Sequence, residues 1–277
     1  LEEEFVGSRP VIRRFFFAYT GDKMNKKFIL LAISVSLLAA CSSTKKADAP
    51  DNTVKYPVTM STKFSGQVVI REEPKRIISL SPTATEDLFA VGAGDNVVAV
   101  DDQSNYPTDA PTSKLSGYTP NIEAILAYKP DLVVVSNDIN NIVASLKAVK
   151  VPVLIEPAAT TLDDAYFQIL ELGIATGHDG DSTGIVNQMK QDITDAQARV
   201  STSEKKLSVY HELDNTYYSV TSNTFIGSLY KLAGTKNIAD AAPNAESGYP
   251  QLSAEYIVKS NPDWKVSIQT HKFLQIP

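Results

Sequence analysis

Two short segments of the sequence carry paired carboxylates at the same spacing. NIEAILAYKPDL, residues 121–132, and SAEYIVKSNPDW, residues 253–264, both fit the pattern Glu-x-Ile-aliphatic-x-x-x-Pro-Asp. We call each segment a cassette. Glu123 corresponds to Glu255, and Asp131 corresponds to Asp263. A carboxylate at the start of a helix can stabilise that helix, or it can be held out toward a basic partner.

Each cassette is predicted to form a short helix with its glutamate in the first turn. Asn121 and Ser253 are good N-cap residues two positions before the glutamate, and a proline, Pro130 or Pro262, ends each helix. A carboxylate at this position gains roughly 0.3–1 kcal/mol from the helix dipole. That gain explains one glutamate in each helix, but it leaves open why two parts of the chain present the same charge.

The single cysteine, Cys41, follows an apolar stretch near the N-terminus. In residues 24–43, MNKKFILLAISVSLLAACSS, two lysines precede a run of 13 mainly apolar residues. A membrane-spanning helix needs about 20 such residues, so this run is typical of a secretory signal. The sequence at residues 38–41 resembles a bacterial lipobox, in which the cysteine thiol accepts a diacylglyceryl group; a free thiol after an ordinary signal is the alternative. We expect an exported protein, lipid-anchored to the cell membrane and facing the periplasm or the cell exterior.

The residues around this signal divide into three predicted segments. Secretory signals begin at or near the N-terminus, and residue 1 is leucine, so we expect residues 1–23 to be a non-native upstream extension. Residues 24–40 are the predicted signal peptide. Residues 41–63, rich in Ser, Thr, Lys and Ala, are the predicted lipidated and flexible tether.

The sequence gives little support to nucleic-acid binding, metal binding or catalysis. The net charge of -6 and the lack of a clustered basic surface argue against a nucleic-acid partner. His178, His211 and His271 have no metal-ligand spacing, and only His211 could touch a chelated metal or haem, with a core or surface role as the alternative. No His-Glu-x-x-His motif occurs, and no nucleophile and base of an exported hydrolase have a visible partnership. We predict no catalytic residue, no metal site and no cofactor.

The elements that must position these residues alternate between strand and helix. Continuous apolar strands such as NVVAV, DLVVV and VPVLI, separated by helices, indicate parallel sheets covered on both faces, the α/β class. A long, mostly polar helix at residues 181–203 interrupts the alternation and is expected to bridge two bodies. We therefore predict an N-terminal α/β lobe at 64–180, a bridging helix at 181–203 and a C-terminal α/β lobe at 204–277.

Three segments together resemble the cluster III substrate-binding proteins of bacterial ABC importers, which bind cobalamin and iron-siderophores. They are PKRIISLSPTATEDLFAVGAGDNVVAVDD, GYTPNIEAILAYKPDLVVVSND and YPQLSAEYIVKSNPD, and the similarity covers about residues 64–264. The resemblance implies two α/β lobes with mostly parallel sheets, joined by one long helix, with the ligand in the cleft between them. It also implies that Glu123 and Glu255 dock onto arginines of a two-fold symmetric ABC permease dimer.

The ligand cleft is expected where the strands end. Ligands of open α/β folds bind at the carboxyl ends of the strands, which directs attention to residues 81–85, 136–138 and 211–223. Paired tyrosines in a polar loop offer flat surfaces with a hydroxyl at one end, and in the resembling family the region before each cassette adds aromatic side chains. The candidate ligand-binding residues are Thr83, Tyr118, Asn137, Tyr217, Tyr218 and Tyr249. For the tyrosines, packing at a lobe edge is the alternative.

The predicted function combines these features. A tyrosine-rich, histidine-poor cleft suits a large organic or organometallic ligand, so cobalamin, haem and ferric siderophores all remain open. We expect a monomeric, membrane-anchored substrate-binding protein that captures such a nutrient and delivers it to an ABC permease. The alternatives are a surface lipoprotein that senses or relays the ligand without its own permease, and an exported hydrolase.

The last segment, WKVSIQTHKFLQIP at residues 264–277, departs from the family pattern, in which Pro-Asp leads into an apolar strand. We therefore expect residues from Lys265 onward to be foreign to the fold and the second lobe to be incomplete. Such a lobe would leave apolar surface uncovered.

Overall fold

The first lobe contains a four-stranded parallel sheet and a separate hairpin. The computed structural model describes residues 54–200 and 206–267, so residues 1–53, including Cys41, and His271 lie outside it. The strands of the first lobe are β1 Val58–Thr62, β2 Gly66–Ile70, β3 Ile77–Leu80, β4 Val97–Val100, β5 Leu132–Val135 and β6 Val153–Ile155. β1 and β2 pair antiparallel, and the other strands form a sheet in the order β4-β3-β5-β6 with parallel pairing.

Helices cover both faces of this sheet. They are α1 Pro82–Ala90, α2 Ile122–Ala127, α3 Ile142–Ala148, α4 Leu162–Thr176 and α5 Asp179–Val200. Alternate residues of the strands enter two apolar clusters: Ile77 and Leu132 pack with α1, α4 and α5, whereas Ile78 packs with α2 and α3. Every residue of β3 and β5 is buried, as expected for parallel strands covered on both sides.

The folded part begins earlier than predicted. Residues 58–62 were assigned to the flexible tether, and that boundary is wrong because they form β1. Met60 and Thr62 are buried, and Met60 belongs to the core that α4 covers. The segment VTMST alternates polar with apolar residues, and the strand is stabilised by pairing with β2, a contact that composition alone does not reveal.

The long helix α5 follows α4 after a two-residue link. Gly177 ends α4 with a left-handed φ of +81°, and His178 connects it to α5, which starts slightly before the predicted residue 181. Val186 is buried in the core of the first lobe. At the far end, the Cγ1 atom of Val200 would lie only 2.7 Å from a Cβ placed on Gly234 of the second lobe. The helix therefore contacts both lobes; the predicted residues 201–203 lie outside the described residues.

The second lobe repeats the plan of the first with fewer elements. Its strands are β7 Ser208–Glu212, β8 Lys236–Asn237 and β9 Trp264–Ser267, and its helices are α6 Phe225–Leu232 and α7 Ala254–Ser260. The parallel sheet has the order β8-β7-β9, so β7 lies between its two neighbours as β3 lies between β4 and β5. Short 3-10 turns complete the described fold at Gly94–Asn96, Ile139–Asn141, Ile238–Ala241 and Ala245–Ser247.

Strand β9 corrects the prediction about the end of the second lobe. Lys265 was expected to begin a segment foreign to the fold, but it pairs with Tyr210, and Ser267 pairs with Glu212 in a parallel register. The Lys265 ammonium also lies 2.8 Å from the Glu212 carboxylate. Residues 264–267 therefore belong to the second sheet, and the prediction that residues from Lys265 onward are foreign to the fold is wrong for residues 265–267.

Candidate ligand cleft and docking sites

The four strands of the first sheet end at one cavity. The residues that directly follow β3, β4, β5 and β6 are Ser81, Asp101, Ser136 and Glu156, and all of them line a cavity of about 190 Å³. This is the edge of the sheet where open α/β folds bind ligands. Pockets that enclose a drug-sized ligand usually measure roughly 300–1,000 Å³. The cavity therefore fits part of a ligand rather than a whole one.

Hydrogen bonds fix two of these strand-end residues. The hydroxyl of Ser81 caps α1 by accepting from the Ala84 amide at 3.4 Å. The Asp101 carboxylate accepts hydrogen bonds from the amides of Gln103 and Ser104, at 2.9 and 2.8 Å. The polar groups of Ser81 and Asp101 are thus occupied in shaping the wall.

Tyr118 lies at the mouth of the cavity because the residue before it is glycine. A Cβ on Gly117 would lie 2.7 Å from the carbonyl oxygen of Leu80 and 3.0 Å from the Asp101 carboxylate, so a side chain there would push this segment away from the strand ends. Tyr118 lines the cavity with 73% of its surface exposed. The ring is therefore available to a ligand.

Two of the three first-lobe candidates line the cavity. Thr83 and Tyr118 do so, and Thr83 is exposed. Asn137 is also exposed; it follows Ser136 and donates a hydrogen bond to the Ser136 hydroxyl at 3.3 Å, but it is not part of the cavity wall. Their roles in ligand binding stay predictions.

Glu156 is a cavity residue that sequence reasoning missed. It is 5% exposed, and neither carboxylate oxygen has a hydrogen-bond partner within the part of the chain that the structure describes. Burial raises the pKa of Glu156 to about 9, with further contributions from the nearby charges of Glu171 and Asp87. The only signal in the sequence was an acid at the end of a strand. Its burial depends on α1 and α4, which are distant in the chain.

Two further acids of the first lobe, Glu171 and Asp87, lie near Glu156. Burial raises the pKa of Glu171, on α4, to about 7, while the nearby backbone N–H of Lys63 acts in the opposite direction. Burial and the charge of Glu86 raise the pKa of Asp87, on α1, to about 6. Among the residues that the structure describes, neither carboxylate oxygen of Glu171 has a hydrogen-bond partner of normal geometry, as is also the case for Glu156.

The second-lobe candidates lie on adjoining segments after β7. The carbonyl of Tyr217 accepts from the Leu252 amide at 3.0 Å, and the backbone of Tyr218 bridges to that of Gln251. These contacts hold the loop of Tyr217 and Tyr218 against the segment that contains Tyr249. All three tyrosines are exposed. The structure therefore groups them on the second lobe, apart from the residues that line the first-lobe cavity.

His211 lies inside the second lobe. It is buried, its Nδ1 atom lies 2.7 Å from the hydroxyl of Tyr230, and its Nε2 atom has no partner among residues 54–200 and 206–267. Burial lowers the pKa of His211, which favours the neutral ring. Within residues 54–200 and 206–267, no group of three or more histidine, cysteine, aspartate or glutamate side chains is placed to hold a metal ion.

The two cassette helices start alike. The side chain of Asn121 accepts from the Ala124 amide at 2.9 Å in α2, and the hydroxyl of Ser253 accepts from the Tyr256 amide at 3.1 Å in α7. These contacts confirm the predicted N-caps. Glu123 and Glu255 each occupy the second position of their helix and are exposed.

The aspartates of the cassettes have a role that the sequence did not reveal. Asp131 accepts from the amides of Lys75 and Arg76, both at 2.8 Å, directly before β3. Asp263 accepts from the amide and the hydroxyl of Ser208, at 2.8 and 2.9 Å, at the start of β7. The contacts with Arg76 and Ser208 each span 55 residues of sequence. Each cassette thus returns to hold the start of the central strand of its own lobe.

In the part of the chain that the structure describes, no helix is both long and apolar enough to span a membrane.

Known proteins are similar to this chain in sequence and in fold. Residues 77–268 match the family described as periplasmic binding protein. An uncharacterized ABC transporter substrate-binding lipoprotein of Bacillus subtilis, YvrC, is 31% identical over 84% of this chain and 77% of its own length. A cobalamin-binding protein of Halobacterium salinarum is 31% identical over 85% of this chain and 66% of its own length.

A solved structure from Staphylococcus epidermidis, described as a possible iron-binding (periplasmic solute-binding) protein, gives a TM-score of 0.59 at 27% identity. The likeness covers 71% of this chain and 78% of that one, and it agrees with the predicted two-lobed α/β fold. The family resemblance is confirmed: the chain belongs to the periplasmic binding protein family.

Proposed function

We propose that this protein captures a cobalamin, haem or ferric-siderophore ligand outside the cytoplasm and delivers it to an ABC permease. The observation that carries the proposal is the convergence of four strand ends on one cavity with Tyr118 exposed at its mouth. Tyr217, Tyr218 and Tyr249 form the corresponding surface of the second lobe. The relatives named for cobalamin and for iron support this class of ligand.

Calorimetry with cyanocobalamin, haemin and a ferric hydroxamate siderophore tests capture. At least one of these should bind, and Tyr118→Ala or Tyr249→Ala should weaken that binding by about 10-fold, since a well-placed aromatic contact contributes roughly 0.5–1.5 kcal/mol beyond its buried area. Tyr118→Phe keeps the ring and should bind nearly as the wild type does. Val149→Ala, an exposed apolar position outside the cavity lining, serves as the control. Failure of all three ligands to bind would contradict the proposal.

We infer that Glu123 and Glu255 are the docking points for the permease. Both are exposed at the same position of equivalent helices, and each helix is anchored through its cassette aspartate to the central strand of a lobe. One carboxylate on each lobe suits a two-fold symmetric partner that presents arginines. Such charges guide approach and orientation more than they add affinity.

Photocrosslinkers test this docking and separate it from the relay alternative. Placed at Ala124 and Ala254, the exposed neighbours of the two glutamates, they should capture the permease. At Glu72 and Glu246, exposed acids outside the cassettes, they should not. A protein that only senses or relays its ligand would give no permease adduct at either pair.

We propose that Cys41 carries the lipid anchor. The lipobox-like sequence at residues 38–41 and the lipoprotein name of the Bacillus relative support this. Cys41→Ala should move the protein from the membrane fraction to the soluble fraction and leave ligand affinity unchanged, because two or more acyl chains are needed for stable attachment. Retention of the variant in the membrane fraction would contradict the assignment.

We infer that the protein acts as a monomer that releases its ligand unchanged. Docking through one glutamate on each lobe uses a single chain, and the polar groups of Ser81 and Asp101 are engaged in local hydrogen bonds rather than in a nucleophile-base pair. Sedimentation should give the mass of one chain. Chromatography after incubation should recover the ligand intact.

A further inference from the structure

Glu156 has an arrangement that its fold does not explain. A buried polar group without a hydrogen bond costs free energy, so native proteins rarely retain one without a reason. Glu156 is 5% exposed, neither carboxyl oxygen has a hydrogen-bond partner among the described residues, and the residue lines the strand-end cavity. Glu171 is equally buried and unpartnered but is not part of the cavity lining. Of these two glutamates, Glu156 is therefore the one placed to meet a ligand in the cavity.

The groups that face Glu156 favour its uncharged form. Glu171 approaches from α4 and Asp87 from α1, and both are acids whose charge opposes ionisation of Glu156. Lys63, whose backbone N–H lies near Glu171, has its ammonium paired with Asp164. Burial acts in the same direction, so at neutral pH the group is a carboxylic acid. A carboxylic acid presents an O–H donor and a carbonyl acceptor side by side.

We propose that Glu156 is a ligand-contacting residue whose carboxyl group pairs, through two hydrogen bonds, with a carboxamide on the edge of the ligand. A carboxamide presents the complementary N–H donor and carbonyl acceptor at the same spacing. The cavity of about 190 Å³ has room for such a peripheral group. The inference rests on the proposed function and narrows its ligand class: cobalamin carries carboxamides on its periphery, whereas haem carries carboxylates.

Calorimetry with cyanocobalamin on three variants tests this contact. Glu156→Leu should weaken binding by about 10- to 100-fold, because the ligand carboxamide loses both partners in a buried site. Glu156→Gln should stay within about 3-fold of the wild type, since its amide also offers a donor beside an acceptor. Glu171→Gln, the matched change outside the cavity lining, should leave affinity unchanged.

Thermal unfolding without ligand separates recognition from folding. Glu156→Leu removes an unpartnered buried polar group and should unfold at or above the wild-type temperature, and Glu156→Gln, which keeps a polar group of the same size, should unfold near it. A lower unfolding temperature for both variants would assign Glu156 a folding role and overturn the proposal. If Glu156→Leu does not fold, the affinity of Glu156→Gln and the comparison of cyanocobalamin with haemin still test the proposed contact.

The remaining outcomes are distinct. Equal cyanocobalamin binding by the wild type and Glu156→Leu would overturn this contact and leave the proposed function intact. Equal losses in Glu156→Leu and Glu156→Gln would show that a negative charge is recognised, which contradicts pairing by the neutral acid. Binding of haemin but not of cyanocobalamin would overturn the carboxamide assignment. Absence of binding by all three ligand classes would contradict the proposed function itself, and this inference with it.

Discussion

The two lobes share one frame but differ in how that frame is covered. In each, a cassette helix begins at a capped turn with an exposed glutamate, and the cassette aspartate then holds the start of the central strand. The strand that follows the cassette pairs with the central strand. In the first lobe that strand, β5, is buried throughout. In the second lobe it is β9, where Trp264 and Val266 remain 53% and 37% exposed.

This difference separates two levels of structure. The shared frame, a capped cassette helix anchored to the central strand, depends on an N-cap, a proline and the two hydrogen bonds that the aspartate accepts. It therefore forms in both lobes. Burial comes from neighbouring elements: the first sheet has an apolar cluster on each face, whereas the described second lobe has one cluster with Tyr210, Ile238, Ala242 and Leu252 as its buried members. The same cassette can thus present a glutamate from a densely packed lobe and from a sparsely packed one.

The largest expected contrast is between a fully buried position of β5 and a partly exposed position of β9. Leu132→Ala in β5 should lower the free energy of unfolding by about 2–5 kcal/mol, because the side chain is fully buried and its removal leaves a cavity. Val266→Ala in β9 should cost less than about 1 kcal/mol, because that side chain is already partly in water. Urea unfolding monitored by circular dichroism measures both. Similar losses would show that the two strands are packed alike.

A second contrast is pH dependence, which should originate in the first lobe. Burial raises the pKa of Glu156 to about 9, whereas an unfolded glutamate titrates near 4.5. Between these values the unfolded chain binds fewer protons, so the free energy of unfolding should fall as pH rises, by up to about 1.4 kcal/mol per pH unit for this group. The contribution is complete below the unfolded value and lost above the folded one.

Chemical unfolding from pH 5 to pH 9 measures that slope. Glu156→Gln should flatten the slope between pH 7 and pH 9, since an amide does not titrate, while the raised pKa values of Glu171 and Asp87 keep a slope below about pH 7. Glu246→Gln, a change at an exposed acid of the second lobe, should leave the slope as in the wild type. A slope that survives above pH 7 in Glu156→Gln would place the titrating group elsewhere.

The smallest expected effect concerns the shared frame. Asp131→Ala and Asp263→Ala should each lower the free energy of unfolding by about 1–2 kcal/mol, because each removes two hydrogen bonds to the start of a central strand at the surface. Asp109→Ala, at an exposed loop position, should change it little. The comparison is made by urea unfolding. If only one aspartate mattered, the two lobes would not share an anchored frame.

The features that could be predicted from sequence are those set by neighbouring residues. Asn121 and Ser253 cap helices within three positions, and the apolar runs of β4, β5 and β6 reveal a covered parallel sheet. Those two signals, with the resemblance of the motifs, were enough for the α/β class and the family.

The features that were missed depend on distant contacts. β1 is stabilised through β2 and the core under α4, the anchor of Asp131 reaches back 55 residues to Arg76, and the burial of Glu156 depends on α1 and α4. None of these contacts has a local pattern. The expectation that residues from Lys265 onward are foreign to the fold was wrong for the same reason. Strand β9 is defined by its pairing with β7, and its own sequence does not reveal that pairing.

Ligand uptake by cells that carry the paired variant Glu123→Lys and Glu255→Lys tests the central claim most directly. Both side chains are exposed at equivalent helix starts, and neither lines the cavity. We predict that uptake is lost while calorimetry gives wild-type ligand affinity, and that the control pair Glu72→Lys and Glu246→Lys transports normally. Uptake retained by the paired variant, or ligand affinity lost with it, would contradict the assignment of these glutamates as docking points.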